Sequence, residues 1–254
     1  MRPAGFWKKA GRRRGRHGTV RILHLNNENV WRGGQRQTLM LAAGLRDTGA
    51  VSVVGCPAGS PLEQHARAES VETLAIPVHF LGAVPALAKV ARDFDLIHCH
   101  SSRGHRLAAL TANLHHTPFL VTQRVALPSR MAWLRKCSFR RAAGVVCVSR
   151  FLAGQLSGLE LPPERVTVVP SAVPPPDADS LTPEHRASVR ARLGVASEMT
   201  LVGNIAELVR AQDHATLLRA TRRLTDRHSA MRLVIFGDGP LRGKLLSLRR
   251  KLGL

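Results

Sequence analysis

The 254-residue chain contains no tyrosine, and aromatic residues make up only 4% of it. Proteins that bind single-stranded nucleic acid stack bases on aromatic platforms, so this composition speaks against that class. No nucleic-acid recognition motif is found either. Acidic residues are scarce: 17 Asp and Glu stand against 38 Lys and Arg, for a formal net charge of +21. The balance favours polyanionic partners such as nucleic acid, an anionic membrane surface or a phosphorylated substrate, without choosing among them. A high-GC genome would also give arginine spread along a chain in this way. The four cysteines, Cys56, Cys99, Cys137 and Cys147, form no C-x-x-C pair. Cys99 and Cys147 lie in apolar runs and read as buried thiols, which points to a reducing cytosol rather than secretion. No apolar run approaches the ~20 residues that span a bilayer, and the basic N-terminus lacks the apolar core of a signal peptide. The first strand is not followed by G-x-G-x-x-G, which disfavours a dinucleotide oxidoreductase. Gly237-Asp238-Gly239-Pro240 lacks the Gly-Lys-Ser/Thr ending of a P-loop and reads as a plain strand-to-helix turn.

What the chain does have is an alternation. Val20, Ile22, Leu23 and Leu25 form a buried strand, a polar loop ends in Gly33-Gly34, and Thr38, Leu39, Leu41, Ala42 and Leu45 suit one face of a helix. A glycine pair at a helix N-terminus lets backbone N–H groups approach an anion. Short β-rich runs follow at 51–56, 71–76, 93–99, 118–122, 144–148 and 166–170, with helices predicted over 62–68, 84–92, 104–114, 129–141 and from Ser149. This is the mark of a parallel doubly wound sheet, whose ligands collect at the carboxyl ends of the strands. A proline-rich linker begins at Pro174. After a helix over 183–193, a second α/β pattern starts: strands at 200–205 and 231–236, helices over 213–224 and 241–252. The predicted organisation is a basic, disordered tail (1–18), an N-terminal domain (19–173), a linker with its helix (174–198) and the beginning of a second domain (199–254). The tail, with Phe6 and Trp7 ahead of its Lys and Arg residues, suits either acidic lipid head groups or a solvated extension. The mixed basic and apolar run 129–141 has the same two readings.

These motifs together resemble family 4 retaining glycosyltransferases of the GT-B fold, which build lipopolysaccharide and other cell-surface glycans. The matching features are Trp31-Arg32-Gly33-Gly34 with Gln35 and Thr38, Asp95-Leu96-Ile97-His98-Cys99-His100, Val146-Cys147-Val148-Ser149 and Val168-Val169-Pro170-Ser171. In the second half they are Val202-Gly203-Asn204-Ile205, the run 213–220 and Gly237-Asp238-Gly239-Pro240-Leu241. The resemblance implies an α/β, GT-B type architecture: one complete Rossmann-like domain plus the first two β-α units of another. It implies a nucleotide-sugar donor, a glycan or lipid-linked acceptor, and charge on the leaving diphosphate met by basic side chains and N–H groups without a metal or other cofactor. The location it implies is cytoplasmic, with peripheral contact at the inner face of the cell membrane. The residues implicated are Gly33, Gly34 and Arg210 at the donor phosphates, His100 and Arg124 in catalysis, and Ser101, Ser102 and Arg103 at the acceptor. His98 and His100 alternate on one strand face, yet no third ligand lies near them in sequence, so no metal site is expected.

Three departures bear on activity. Asn204 and Gln212 stand where the family usually carries arginine and lysine, with Arg210 a nearby substitute. The loop after the 118–122 strand reads Gln123-Arg124 where many members have a histidine. The family's paired glutamates belong to a later segment than Leu254, so the resemblance is to a C-terminally truncated member. Alternatives are an inactive fragment and, from charge alone, a basic nucleic-acid-binding protein.

Overall fold

A computed structural model describes residues 18–127, 133–177 and 182–254. The predicted tail therefore lies outside the described residues. So do the first part of the 129–141 run and the linker residues Asp179 and Ser180. The chain divides into two units, 1–173 and 174–254.

In the first unit seven strands form one parallel sheet: β1 (Arg21–Leu25), β2 (Val51–Cys56), β3 (Glu72–Ala75), β4 (Leu96–Cys99), β5 (Phe119–Gln123), β6 (Gly144–Cys147) and β7 (Val166–Val168). Their order is β3-β2-β1-β4-β5-β6-β7. The direction of winding reverses between β1 and β4, so the ends of these two strands flank the crevice where doubly wound sheets hold ligands. Strands buried on both faces need apolar residues at nearly every position, which explains Ile22, Leu23, Leu25, Ile97 and Cys99, all buried.

The helices are α1 (Gly33–Asp47), α2 (Pro61–Ala68), α3 (Phe80–Val90), α4 (Ser102–His115), α5 (Trp133–Arg141) and α6 (Arg150–Gly154). Serine starts three of them. Ser60, Ser101 and Ser149 accept the N–H of Glu63, Gly104 and Leu152 respectively, each satisfying one donor that a helix start leaves open. Pro61 follows Ser60 at the first helical position, where a missing N–H costs nothing. Two helices start at least two residues earlier than the sequence suggests. α3 begins at Phe80 rather than 84, because Pro85 inside it disguises the first turn. α4 begins at Ser102 rather than Gly104, because Ser101 rather than a later residue is its cap. The larger core cluster includes Leu23, Ile97, Leu107, Phe119 and Phe139. A second cluster, with Leu39, Val54, Leu62 and Val71, lies between α1, α2 and β2. Cys56, Cys99 and Cys147 are buried free thiols and Cys137 is a half-buried one.

The second unit holds α7 (Pro183–Arg192), β8 (Thr200–Ile205), α8 (His214–Thr225), β9 (Met231–Phe236) and α9 (Arg242–Lys251), with β8 and β9 parallel. The turn Gly237-Asp238-Gly239-Pro240 is packed on backbone. A Cβ at Gly237 would sit 1.9 Å from the carbonyl oxygen of Ala206, and Leu208 N–H donates to Asp238 O at 2.8 Å. A cavity of about 680 Å³ opens beside α8, β9 and α9, lined in part by Leu218, Leu233, Ile235 and Leu245.

Candidate active site at the sheet switch point

The loop after β1 is bound to the first turns of α1 by buried amides and hydroxyls. Asn26 Nδ2 donates to Thr38 Oγ1 at 3.0 Å, and Gln35 Nε2 donates to Asn26 Oδ1 at 3.3 Å. Thr38 Oγ1 donates in turn to Gly34 O. Gln35 Oε1 accepts the N–H of Arg32 at 3.1 Å. Trp31 stacks on His65 of α2, ring centroids 3.9 Å apart. These contacts hold the loop in one shape and aim the start of α1 along the sheet edge. Gly33 and Gly34 are the first two residues of α1, so their N–H groups have no partner within the helix and carry the positive end of its dipole.

Arg124, directly after β5, lies beside this helix start. Its Cδ is 4.0 Å from the position a Cβ on Gly34 would occupy. Its Nη1 donates to Ser171 Oγ at 3.4 Å, and Gln37 Nε2 ties the same segment to α1 through Ala172 O. The Arg124 Nε is buried without a hydrogen-bond partner. Burial lowers the pKa of the guanidinium. No carboxylate among the described residues pairs with Arg124: the ion pairs Arg46–Asp47, Arg67–Glu63, Arg140–Glu160 and Arg222–Asp226 all lie elsewhere. A partly desolvated cation, a helix N-terminus and a hydroxyl thus meet with no anion among them.

Behind them, three imidazoles cluster. His24 of β1 and His98 of β4 are register partners, and His100 follows His98 by two residues, so all three fall on one side of the sheet. His24 Nδ1 and His100 Nε2 share a hydrogen bond of 3.1 Å. His98 Nε2 is 2.7 Å from Thr122 Oγ1. Burial draws the His24 pKa down to about 4. For His98, burial first and then the charges of His24 and Arg124 lower it to about 3. His100 is held well below the ordinary histidine value by the same causes. All three are neutral at physiological pH.

The predicted site residues therefore divide. Gly33, Gly34 and Arg124 come together. His100 lies nearby, but inside the protein: its Nε2 faces His24 and its Nδ1 is buried without a partner. Ser101 is buried, caps α4 and donates to Asn27 Oδ1 at 3.1 Å. Ser102 is half-buried and Arg103 exposed on the first turn of α4. Arg210 is exposed in the turn before α8, in the other unit. In the 129–141 run, Phe139 is buried, and Arg140 and Arg141 are tied to Leu159 O and Asn113 Oδ1. The sequence reading missed His24, Asn26 and Asn27. His24 was hidden in an otherwise apolar strand, and its partnership with His98 depends on strand register. The expectation that the histidines lack a third neighbour is corrected on the same ground: His24 supplies it from 76 residues before His100.

Comparison with known proteins identifies the class. The profile of Glycosyltransferase Family 4 matches residues 31–175, more than half of the chain, and the chain belongs to that family. EpsF of Bacillus subtilis (strain 168), whose assignment as a glycosyltransferase is provisional, is 29% identical over 185 residues, covering 66% of this chain and 47% of EpsF. Among solved structures, Anabaena Alr3699/HepE in complex with UDP superposes with a TM-score of 0.78 at 18% identity, covering 92% of this chain and 67% of that one. A glycosyltransferase from Rickettsia africae ESF-5 gives a TM-score of 0.71 at 18% identity, covering 94% and 66%. The fold is thus the α/β, Rossmann-like fold of GT-B glycosyltransferases. The chain spans about half the length of EpsF and two thirds of these solved neighbours. No helix among the described residues is long and apolar enough to cross a membrane.

Proposed function

We propose that this chain acts in retaining transfer of a sugar from a nucleotide-sugar donor to a glycan or glycolipid acceptor in cell-envelope polysaccharide or lipopolysaccharide synthesis. The observation that carries this reading is Arg124. Leaving a guanidinium half-buried without a carboxylate is costly, and the cost is recovered when an anion arrives. The Gly33 and Gly34 N–H groups beside it offer further donors to the same anion. As the donor's sugar–oxygen bond breaks, negative charge grows on the departing diphosphate, and fixed donors stabilise that charge most where water is excluded. Anabaena HepE is known in complex with UDP-glucose and with UDP, which supports a uridine diphosphate sugar as the first donor to try. We assign Arg210, within its own unit, as a further diphosphate contact. Ser102 and Arg103, at the start of α4, are assigned to the acceptor, with Ser101 and His100 behind them. The net charge of +21 supports work at an anionic membrane surface on the cytoplasmic side, read out by cosedimentation with anionic vesicles that weakens as salt rises.

Calorimetric titration of the chain with UDP and UDP-glucose tests the site. Binding is expected, and Arg124→Met is expected to weaken it by more than about tenfold, the scale of one charge-assisted hydrogen bond. Absence of binding by any UDP or GDP compound, or an unchanged affinity in Arg124→Met, overturns the assignment. Binding without transfer or hydrolysis across UDP- and GDP-sugars would leave a chain that holds a donor but does not turn it over.

A further inference from the structure

His24 and His98 are not used by the reading above, and together with His100 they form a cluster whose geometry has a chemistry of its own. We propose that His24, His98 and His100 form a binding site for one divalent transition-metal ion of the Zn²⁺ class at the sheet switch point. One candidate ligand atom from each residue lies within 4.8 Å of the others, and all three residues are buried. The His24 Nδ1 to His100 Nε2 separation of 3.1 Å is close to the roughly 3.3 Å between two nitrogens that share a tetrahedral zinc at about 2.0–2.1 Å. The rings are brought there by backbone rather than by chance rotamers. His24 and His98 are register partners, and His100 N–H is fixed to Leu25 O at 2.9 Å.

Proton positions are compatible with this. In the His24–His100 hydrogen bond one facing nitrogen carries a proton and the other a lone pair. For both to face a metal, that proton moves to the far nitrogen of its own ring. The far nitrogens, His24 Nε2 and His100 Nδ1, are buried and unpartnered, so the change of tautomer breaks no other hydrogen bond. In the tautomer of His98 whose Nε2–H is donated to Thr122 Oγ1, the lone pair is on Nδ1. A hydrogen bond of that kind orients a ligating imidazole.

The donor set selects the ion. Three neutral nitrogens with no carboxylate suit zinc, cobalt, nickel or copper, whereas magnesium and calcium require oxygen. Nearby Arg124 opposes a dication, as its influence on His98 and His100 shows. Three histidines leave a fourth position open, as in catalytic zinc sites, and hydroxide or another anion there would offset that repulsion. The ion's place is behind Gly33, Gly34 and Arg124, and the proposed donor chemistry does not depend on it.

The test uses the full chain without a polyhistidine tag, stripped with a chelator. Titration with Co²⁺ is expected to give visible ligand-field absorption that saturates at one ion per chain and is displaced by Zn²⁺. His24→Gln and His98→Gln are each expected to lower the affinity by more than about 100-fold, beyond the loss expected for an outer hydrogen-bonding partner. The exposed-histidine variants His185→Gln and His228→Gln are expected to keep it. On the wild-type chain, imidazole ¹⁵N resonances give a readout that does not depend on variants folding: one equivalent of Zn²⁺ is expected to shift three histidines. No stoichiometric binding, retained affinity in folded His24→Gln and His98→Gln, or shifts confined to other histidines would each overturn the proposal.

Discussion

Ser101 and Asn27 are joined across the reversal point of the sheet: Ser101 Oγ donates to Asn27 Oδ1 at 3.1 Å while accepting the N–H of Gly104 at 3.0 Å. One hydroxyl therefore caps α4 and links the loops that leave β1 and β4. Both residues are buried, so Ser101→Ala removes a cap and leaves the Asn27 oxygen without that donor. A cap is worth about 1 kcal/mol, and an unsatisfied buried acceptor costs about 1–3 kcal/mol. Urea denaturation is expected to show a loss of about 2–4 kcal/mol. A change under 0.5 kcal/mol, paired with lost acceptor use, would instead make Ser101 chiefly an acceptor contact.

The same junction explains a glycine. A Cβ at Gly104 would lie 3.2 Å from both Leu25 O and Ser101 Oγ, so α4 crosses the end of β1 closer than a side chain ordinarily allows. In a helix interior alanine is favoured over glycine by about 1 kcal/mol, but here the carbonyl at the end of a buried central strand would have to shift by a few tenths of an ångström. Gly104→Ala is expected to destabilise by about 1–3 kcal/mol. Gly44, in α1, has nothing within 4 Å of its would-be Cβ, and Gly44→Ala is expected to stabilise by up to about 1 kcal/mol. Thermal melts of the two variants should move in opposite directions.

Much of the first unit was readable from the sequence because parallel strands buried on both faces announce themselves as short apolar runs. Ser149 also marks a helix start by a local rule, whereas the cap at Ser101 was missed. The pairing of His24 with His98 was not readable. It depends on which strands are neighbours and in what register, and the order 3-2-1-4 sets β1 against β4 across 70 residues of intervening chain. Gly33, Gly34 and Arg124 were each legible as residue types at strand ends. That Arg124 reaches the start of α1 without any carboxylate partner was not, since the absence of a counter-ion is a property of packing. His100 was implicated in catalysis by the resemblance, and its burial was not legible from the strand-end motif. The extra backbone bond to Leu25 O carries it inward, beneath the loop.

His115 gives a pH dependence with a definite sign. Thr117 N–H donates to its Nδ1 at 3.0 Å, so the proton of the neutral ring is on Nε2, which faces Thr111 Oγ1 at 3.2 Å. Burial, with smaller contributions from His116 and Arg92, lowers its pKa from 6.5. As pH falls below 6.5, the unfolded chain takes up a proton that the folded chain refuses, so stability falls toward acid, by at most about 1.4 kcal/mol per pH unit for one group. His24, His98 and His100 act in the same direction and are present in both proteins compared. Folding free energy measured from pH 7 to pH 5 should therefore slope less steeply in His115→Gln than in the wild type. Parallel slopes would mean that His115 is protonated equally in both states.

Arg124 separates a structural role from a binding role. If its guanidinium were there to hold the fold, removing it would destabilise the chain. Its one side-chain hydrogen bond among the described residues is a long one, to Ser171 Oγ. Against this stand a buried Nε with no acceptor and a charge with no counter-ion among the described residues. Methionine preserves most of the apolar stem and removes both penalties. Arg124→Met is therefore expected to be at least as stable as the wild type without ligand, by up to about 1 kcal/mol, as found where stability has been given up for a binding function. In the presence of UDP the order should reverse, because the wild type gains more from binding: about 2.7 kcal/mol at a hundredfold excess over its Kd, against about 1.4 kcal/mol or less for a variant that binds at least tenfold more weakly. Thermal melts of both proteins with and without UDP decide the matter. A variant less stable than the wild type in both conditions by the same margin would mark Arg124 as a structural residue.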